Sequence, residues 1–517
     1  MASQDAGQIC RERMSIALAY TRCQDGMDAL AICVETHLSN GLPSFTIVGL
    51  PETAVRESRE RVRSALLNSG FEFPQRRITV NLAPGDIPKE GTRFDLAIAV
   101  GILAASHQIP LPPLGHAEFI GELALDGSLR AVGTTLASAL AARDAGHELF
   151  VSGTDADEAA LIDGAVVRAA ASLQEVCLHL QGQAHLVSHV VAKPARRATQ
   201  LPDMADVLGQ TRARRALEIA ASGGHNLLLL GPPGTGKTML ATRLPGLLPP
   251  LTEEQALAVA AIHSVAGQPS RLDDWRAPPF RSPHHSASAV ALVGGGRVPR
   301  PGEISLAHHG VLFMDELPEF ERRALEALRE PLESGHITVA RAARAVRYPA
   351  SFLLTAAMNP CPCGFHGDGK SQCICSPERI ATYRARISGP LSERIDLHVE
   401  VPRQTEQLFS SSSARHEDSA TVRERVAALR ARHMERRGML NGELPGSALN
   451  QACQLSQNAR HLLGHALDRL GLSARGYHKV LRLALTIADM ADAEVIAEDH
   501  IAEAISYRVL DRRLLPR

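Results

Sequence analysis

Three groups of residues in this 517-residue sequence have the types and spacing to do chemistry. The first is Gly231-Pro232-Pro233-Gly234-Thr235-Gly236-Lys237-Thr238, which follows the apolar run from Asn226 to Leu230 and leads into a helix-forming segment. Gly231, Gly234 and Gly236 let the backbone curl so that its N–H groups face phosphate oxygens. Lys237 reaches the β- and γ-phosphates, and the Thr238 hydroxyl ligates Mg²⁺. A glycine turn before a helix is the plainer reading, but strand, spacing and lysine all agree on a phosphate loop. The second group is Asp315 and Glu316, at the end of the apolar run in "GVLFMDELPEF". Ligands bind at the carboxyl edge of such a sheet, where Asp315 would hold Mg²⁺ and Glu316 would polarise an attacking water. Acids after a strand are common; the phosphate loop upstream gives these two their meaning. Asn359, at the end of "ASFLLTAAMN", is placed to orient that water, with a turn asparagine as the alternative.

The third group is Cys361-Pro-Cys363 and, nine residues on, Cys373-Ile-Cys375, which together hold four of the nine cysteines. Four thiolates suffice for a closed tetrahedral Zn²⁺ shell, and His366 could replace one of them. C-x-C is tighter than the usual C-x-x-C. The role would be structural, because a four-cysteine shell leaves no open position and the loop is too polar to make a core. Disulfides or free thiols are the alternatives.

These groups need elements to carry them. Residues 14 to 180 alternate strand-like runs such as "RITVNLA" with helical ones such as "FDLAIAVGILAAS". Residues 204 to 402 alternate again, as a parallel sheet with crossovers would. "EQLFSSSSARHEDS" is a polar break, after which the chain reads as helices only. The boundaries expected are 1–183, a linker at 184–203, a nucleotide-binding core at 204–405, a Ser-rich linker at 406–419 and a helical lid at 420–517. The overall class is α/β and multidomain.

Composition narrows the partners. Apolar residues make up 45% of the chain, so burial is not limiting, whereas aromatics make up 3% with one tryptophan. Few rings are available to stack on bases, and any nucleic-acid contact must lean on charge. Lys and Arg number 55 against 56 Asp and Glu, so the chain as a whole names no partner. The beginning lacks a basic-then-apolar signal pattern, and no apolar run reaches the ~18 residues of a membrane span. The expectation is a cytoplasmic protein without a membrane partner.

With these motifs in hand, the sequence resembles the AAA+ ATPases, and within them the magnesium-chelatase-like group that includes the ComM competence proteins. The most specific pieces are "GPPGTGKT", "FRSPHHSASAVALVGGG", "PRPGEISLAHHGVLFMDELPEF", "NPCPCG" and "GPLSERIDLHVEVP", and the likeness covers nearly the whole length. It implies that Asn359 is the first sensor, Arg394 the arginine finger and Arg475, in "LSARGYHKVLRLA", the second sensor. It also implies ATP and Mg²⁺ as cofactors and self-association into a ring, a hexamer in this family. A finger supplied by a neighbour agrees with the chemistry, since hydrolysis develops charge on the γ-phosphate oxygens. The plainer reading of Arg394 is an internal ion pair with Glu393 or Asp396. Val207 and Leu208, before the phosphate loop, resemble the segment that lies against adenine. "PKEGTRFDLAIAV" and "GELALDGSLRAVGTTLASA" look like the serine and lysine segments of a Lon-type protease domain, of ribosomal S5-like α+β fold. Arg93 and Leu136 stand where the catalytic pair would be, so the resemblance implies a domain without peptidase chemistry.

In the related rings a hairpin before the first sensor points into the pore, and "HITVARAARAVRYP" is the candidate here. Arg341, Arg344 and Arg347 recur every third residue and would line a basic funnel suited to DNA, single-stranded or branched. The alternative is pairing with acids of an adjacent subunit, such as Glu330 and Glu333. The pairs His284-His285 and His308-His309 are expected to splay to opposite sides of an extended chain and so not to chelate one ion. Family and hairpin together imply a DNA helicase or branch-migration motor in recombination of incoming DNA, with recombination proteins as further partners. The alternative is a remodelling ATPase acting on a protein, as in metal insertion into a porphyrin.

Overall fold

The computed structural model describes residues 16–191, 201–268, 275–296, 299–341, 344–368, 372–403, 417–470 and 473–508, with the side chains of Pro112, Arg341, Arg344 and Leu470 outside that description. Residues 192–200 of the expected linker at 184–203 and most of the Ser-rich break at 406–419 lie outside it as well. The chain divides into two compact units, Met1–Ala195 with Ala260–Trp275, and Arg196–Val259 with Arg276–Arg517.

The first unit is built on seven strands: β1 (Ile16–Asp25), β2 (Asp28–Ser39), β3 (Ser44–Val48), β4 (Arg77–Ala83), β5 (Ala117–Phe119), β6 (Glu148–Ser152) and β7 (Val166–Ala170). They lie in the order β3-β4-β2-β1-β5-β6-β7. Helix α1 (Thr53–Asn68) is amphipathic, whereas every residue of α2 (Asp95–Ala105) is buried, as an apolar helix at the centre of a domain must be. The one acid in α2, Asp95, is paired with Arg61 at 2.6 Å. Arg93 is 7% exposed and donates to the Gly133 carbonyl and the Thr134 hydroxyl, while Leu136 is core.

The second unit has a five-stranded sheet of β8 (Leu227–Leu230), β9 (Phe280–Arg281), β10 (Val311–Met314), β13 (Leu353–Met358) and β14 (Leu397–Glu400), in the order β9-β10-β13-β8-β14. All pairings are parallel, with Leu227 opposite both Thr355 and Leu397. Strands β8, β10 and β13 are buried at every position, which is why they read as unbroken apolar runs without alternation: both faces of a parallel sheet are covered. Between β10 and β13 the strands β11 (His336–Arg341) and β12 (Arg344–Pro349) form a separate antiparallel pair. The chain then becomes helical in α3 (Ser419–Arg437), α4 (Gln457–Leu470), α5 (Ala474–Met490) and α6 (Glu498–Ser506). No helix among the described residues is long and apolar enough to cross a membrane.

A buried polar knot holds the helical part together. Asp489 accepts from Arg437 at 2.8 Å and from Asn441 at 2.9 Å, and lies 3.1 Å from the His433 ring. Burial opposes its charge, but hydrogen bonds from His433, Arg437 and Asn441 outweigh that and hold the carboxyl well below the usual range. Its folded pKa is depressed, so its stabilisation is complete above the unfolded value of about 4 and is lost as pH falls below it. Asp489→Ala leaves a guanidinium and an imidazole buried without their partner. The change is expected to cost about 3–5 kcal/mol, read as faster hydrogen exchange in α3 and α5 at neutral pH.

Candidate active site

The phosphate loop leaves β8 at the carboxyl edge of the sheet. At Gly231 an added Cβ would lie 2.3 Å from the Val401 carbonyl oxygen, and Gly236 sits at φ +87°, so a side chain is excluded at the first and strained at the second. The Lys237 ammonium is 2.7 Å from the Gly231 carbonyl, 2.9 Å from that of Pro232 and 3.1 Å from Asn359 Oδ1. Burial lowers its pKa. A largely buried cation whose hydrogen bonds all go to neutral oxygens is suited to an anion, because a phosphate oxygen offers a charge-assisted bond that these acceptors do not. The Thr238 hydroxyl donates to Asp315 Oδ2 at 2.7 Å. That places two hard oxygen ligands side by side, a donor set that fits Mg²⁺.

Loop residues Pro233 to Thr238, Asp315, Glu316, Met358 and Asn359 enclose a cavity of about 410 Å³. The ends of the adjacent strands β8, β13 and β10 thus bring together the residues that the sequence singled out. Glu316 adopts a left-handed backbone, φ +52°, and its carboxylate lies 3.2 Å from His285 Nδ1. His285 was not given this position by sequence reasoning. It lies in the quoted "FRSPHHSASAVALVGGG", but nothing local links it to an acid thirty-one residues on. Gln210 is likewise drawn in, donating to the Pro402 carbonyl at 2.9 Å and toward that of Thr235 at 3.5 Å.

Arg394 and Arg475 are elsewhere. Arg394 precedes β14, and its carbonyl accepts from Asn226 Nδ2 and Lys479 Nζ, both at 3.0 Å. Asn226 itself immediately precedes β8, so this cluster marks the amino edge of the sheet. Lys479 is also paired with Asp396 at 2.5 Å. Burial works against the Asp396 carboxylate, but Lys479, His225 and the Asn226 N–H together outweigh it and keep the pKa low. The Arg394 guanidinium, 9% exposed, pairs with Glu333, and with neither Glu393 nor Asp396 as the internal-pair reading expected. Arg475, 62% exposed, lies 3.5 Å from Glu393. With Lys479, Arg482 and His478 the two arginines line a second cavity of about 510 Å³. A four-residue strand, roughly 13 Å long at ~3.3 Å per residue, separates this edge from the phosphate loop.

The structure changes three smaller expectations. Val207 is fully buried in the hydrophobic core and so offers no wall to a base, whereas Leu208 is 49% exposed. The histidine pairs do not splay: ring centroids are 4.1 Å apart for His284 and His285 and 3.8 Å for His308 and His309, the backbone of His309 having φ +56° in place of an extended value. The arginine hairpin pairs Arg341 with Arg344 and Arg347 with Thr338. A three-residue spacing does not keep one face in a strand of period two, so the positions of Arg344 and Arg347 fall on opposite faces of the ribbon. The side chains of Arg341 and Arg344 lie outside the described residues. Arg347 is exposed and reaches the His336 ring at 2.7 Å. Glu333 is taken by Arg394 and Glu330 accepts from Thr338, so within the chain neither acid is paired with Arg347.

The four cysteine sulfurs Cys361, Cys363, Cys373 and Cys375 lie within 4.8 Å of one another. Measured pairs are 3.3 Å (Cys361 to Cys363), 3.7 Å (Cys361 to Cys373) and 3.6 Å (Cys363 to Cys373). Backbone N–H groups of Phe365 and Ile374 pull the Cys363 thiol down to about 6.

Three family models match the chain: "Subunit ChlI of Mg-chelatase" over residues 34–155, "Magnesium chelatase, subunit ChlI" over 203–409 and its C-terminal model over 416–508. YifB of Salmonella typhimurium is 49% identical over 502 residues, covering 97% of this chain and 99% of that protein. Competence protein ComM of Haemophilus influenzae is 47% identical over 505 residues, with the same coverage. The magnesium-chelatase 38 kDa subunit of Rhodobacter capsulatus is 24% identical over 60% of this chain and 86% of its own length. With family models matching along most of the chain and relatives of this identity along the whole length, the chain belongs to the magnesium-chelatase-like AAA+ ATPases, in the group that holds ComM and YifB.

Proposed function

We propose that the chain is a ring-forming motor that hydrolyses Mg²⁺-ATP between adjacent copies and drives helicase or branch-migration steps on DNA during recombination of incoming DNA. The observation that carries the reading is the separation of Arg394 and Arg475 from the phosphate loop of their own chain. An arginine that must meet a γ-phosphate but sits at the far edge of the sheet can do so only on another copy. Lys237, with the N–H groups of the loop, would hold the phosphates; Thr238 and Asp315 would hold Mg²⁺; Glu316 would accept the proton of the attacking water, and Asn359 would orient it. Arg394 and Arg475 would stabilise charge on a neighbour's phosphate. The four cysteines would hold a structural Zn²⁺. The first unit would serve as a Lon-like contact module without peptidase chemistry, since Arg93 and Leu136 are buried where a serine and a lysine would need access. The competence name of the Haemophilus relative supports the DNA substrate, as do the hairpin arginines.

The test is ATP turnover with and without single-stranded, duplex and branched DNA at two salt concentrations. DNA is expected to stimulate the wild type. The Arg341/Arg344/Arg347 triple alanine variant is expected to hydrolyse ATP at the basal rate, with that stimulation lost and the salt dependence of DNA binding flattened. A rate that no DNA changes at low salt would replace this reading with a motor acting on a protein.

A further inference from the structure

The cysteine loop is attached to the nucleotide site at three points. Cys361 follows Asn359 by two residues and is fully buried. Cys375 is followed by the helix Pro377–Ala385, which reaches back: Arg384 donates twice to the Pro360 carbonyl, at 3.2 and 3.1 Å. Between the cysteine pairs, Gly364 packs so tightly on Pro233 of the phosphate loop that an added Cβ would lie 2.7 Å from its ring. Asp368, almost fully buried, lies 3.7 Å from Arg403, just beyond β14.

The sulfur geometry says what closes this loop. A tetrahedral shell with Zn–S of about 2.3 Å has edges of about 3.8 Å, and the measured separations of 3.3 to 3.7 Å lie close to that edge. A disulfide would need about 2.0 Å. Binding expels the thiol protons to solvent and leaves a tetrathiolate with no free coordination position.

We propose that this zinc knot is the strut that sets the catalytic geometry: by closing the loop it fixes the Asn359–Pro360 segment and the arch of the phosphate loop at Pro233, so that ATP turnover depends on a metal that never touches nucleotide. The proposal rests on the ATPase reading above. Without metal, the cysteines take their protons back as thiols and nothing joins the two pairs, so the helix Pro377–Ala385 loses its bridge to Cys361 and the Asn359–Pro360 segment loses its support. Misplacement of a catalytic group by about 1 Å costs up to about 100-fold.

The experiment uses the full chain purified without chelator. Zinc is measured by mass spectrometry, then stripped with an organomercurial and chelator and added back. The expected results are about one zinc per chain, a fall in turnover of about 10- to 100-fold on stripping with recovery on re-addition, and faster hydrogen exchange at Asn359 and in residues 231–238 while α3 and α5 stay protected. Gly364→Ala serves as a second variant, because it keeps all four thiolates; it is expected to retain zinc yet weaken binding of a fluorescent ATP analogue. Less than about half an equivalent of zinc would overturn the metal site. Full zinc with unchanged turnover and exchange after stripping would overturn the strut. If the loaded protein hydrolyses no ATP under any condition, the ATPase reading falls, while zinc content and exchange still report on the knot.

Discussion

Glu316→Gln is expected to bind Mg²⁺-ATP with near wild-type affinity and to hydrolyse it about 10²- to 10⁴-fold more slowly, the range that a positioned general base contributes. The change keeps shape and removes only the basicity. Glu316 holds Asp315 through its backbone N–H, at 2.9 Å, which the change keeps, and acts on Lys237 as a nearby charge, so the phosphate cradle should survive. Its side chain is 51% exposed and, among the described residues, its carboxylate lies beside the His285 ring, so the amide is accommodated without a buried charge being orphaned. Lys237→Ala is the contrasting control and should lose nucleotide binding itself, since the loop then presents carbonyl oxygens without the cation that faces the phosphates. Equilibrium binding of an ATP analogue together with single-turnover hydrolysis separates the two. A Glu316→Gln protein that turns over at the wild-type rate would remove Glu316 from the chemistry and leave the water to be activated by another group.

Arg394→Ala is expected to lower turnover by about 10³-fold or more, as loss of an arginine finger does, with nucleotide binding retained because Lys237, Thr238 and Asp315 are untouched. Its distinguishing property is complementation. In mixtures with Lys237→Ala, some interfaces combine an intact phosphate loop with an intact Arg394 from the neighbouring copy, and activity should recover at intermediate ratios. Neither parent contains such an interface. Mixtures that co-assemble and stay inactive at every ratio would rule out action in trans. The structure also predicts which residues aim the arginine: Asn226 and Lys479 clamp its carbonyl, and Lys479 is one helical turn beyond Arg475 on α5. Asp396 accepts from the Asn226 N–H at 2.9 Å and pairs with Lys479, so both arginines are anchored through the same contacts to the residue just before β8.

The sequence by itself determined the phosphate loop, the acid pair after an apolar strand, the asparagine after the next, and the two cysteine pairs. Each is legible because its chemistry needs neighbours in the chain: consecutive N–H groups wrap a phosphate, and a strand end presents one or two side chains at a fixed edge. The parallel core was legible for a related reason, since strands covered on both faces leave unbroken apolar runs. Tertiary structure alone decided that Lys237 meets Asn359 across 122 residues, that His285 faces Glu316, that Arg394 pairs with Glu333 rather than a sequence neighbour, and that Val207 is core instead of a base-stacking wall. Strand order places β13 between β8 and β10, and no local pattern encodes that order. The edge of the sheet at which Arg394 lies follows from the strand end it flanks, and Arg475 is brought there by the packing of α5, both properties of how distant segments align.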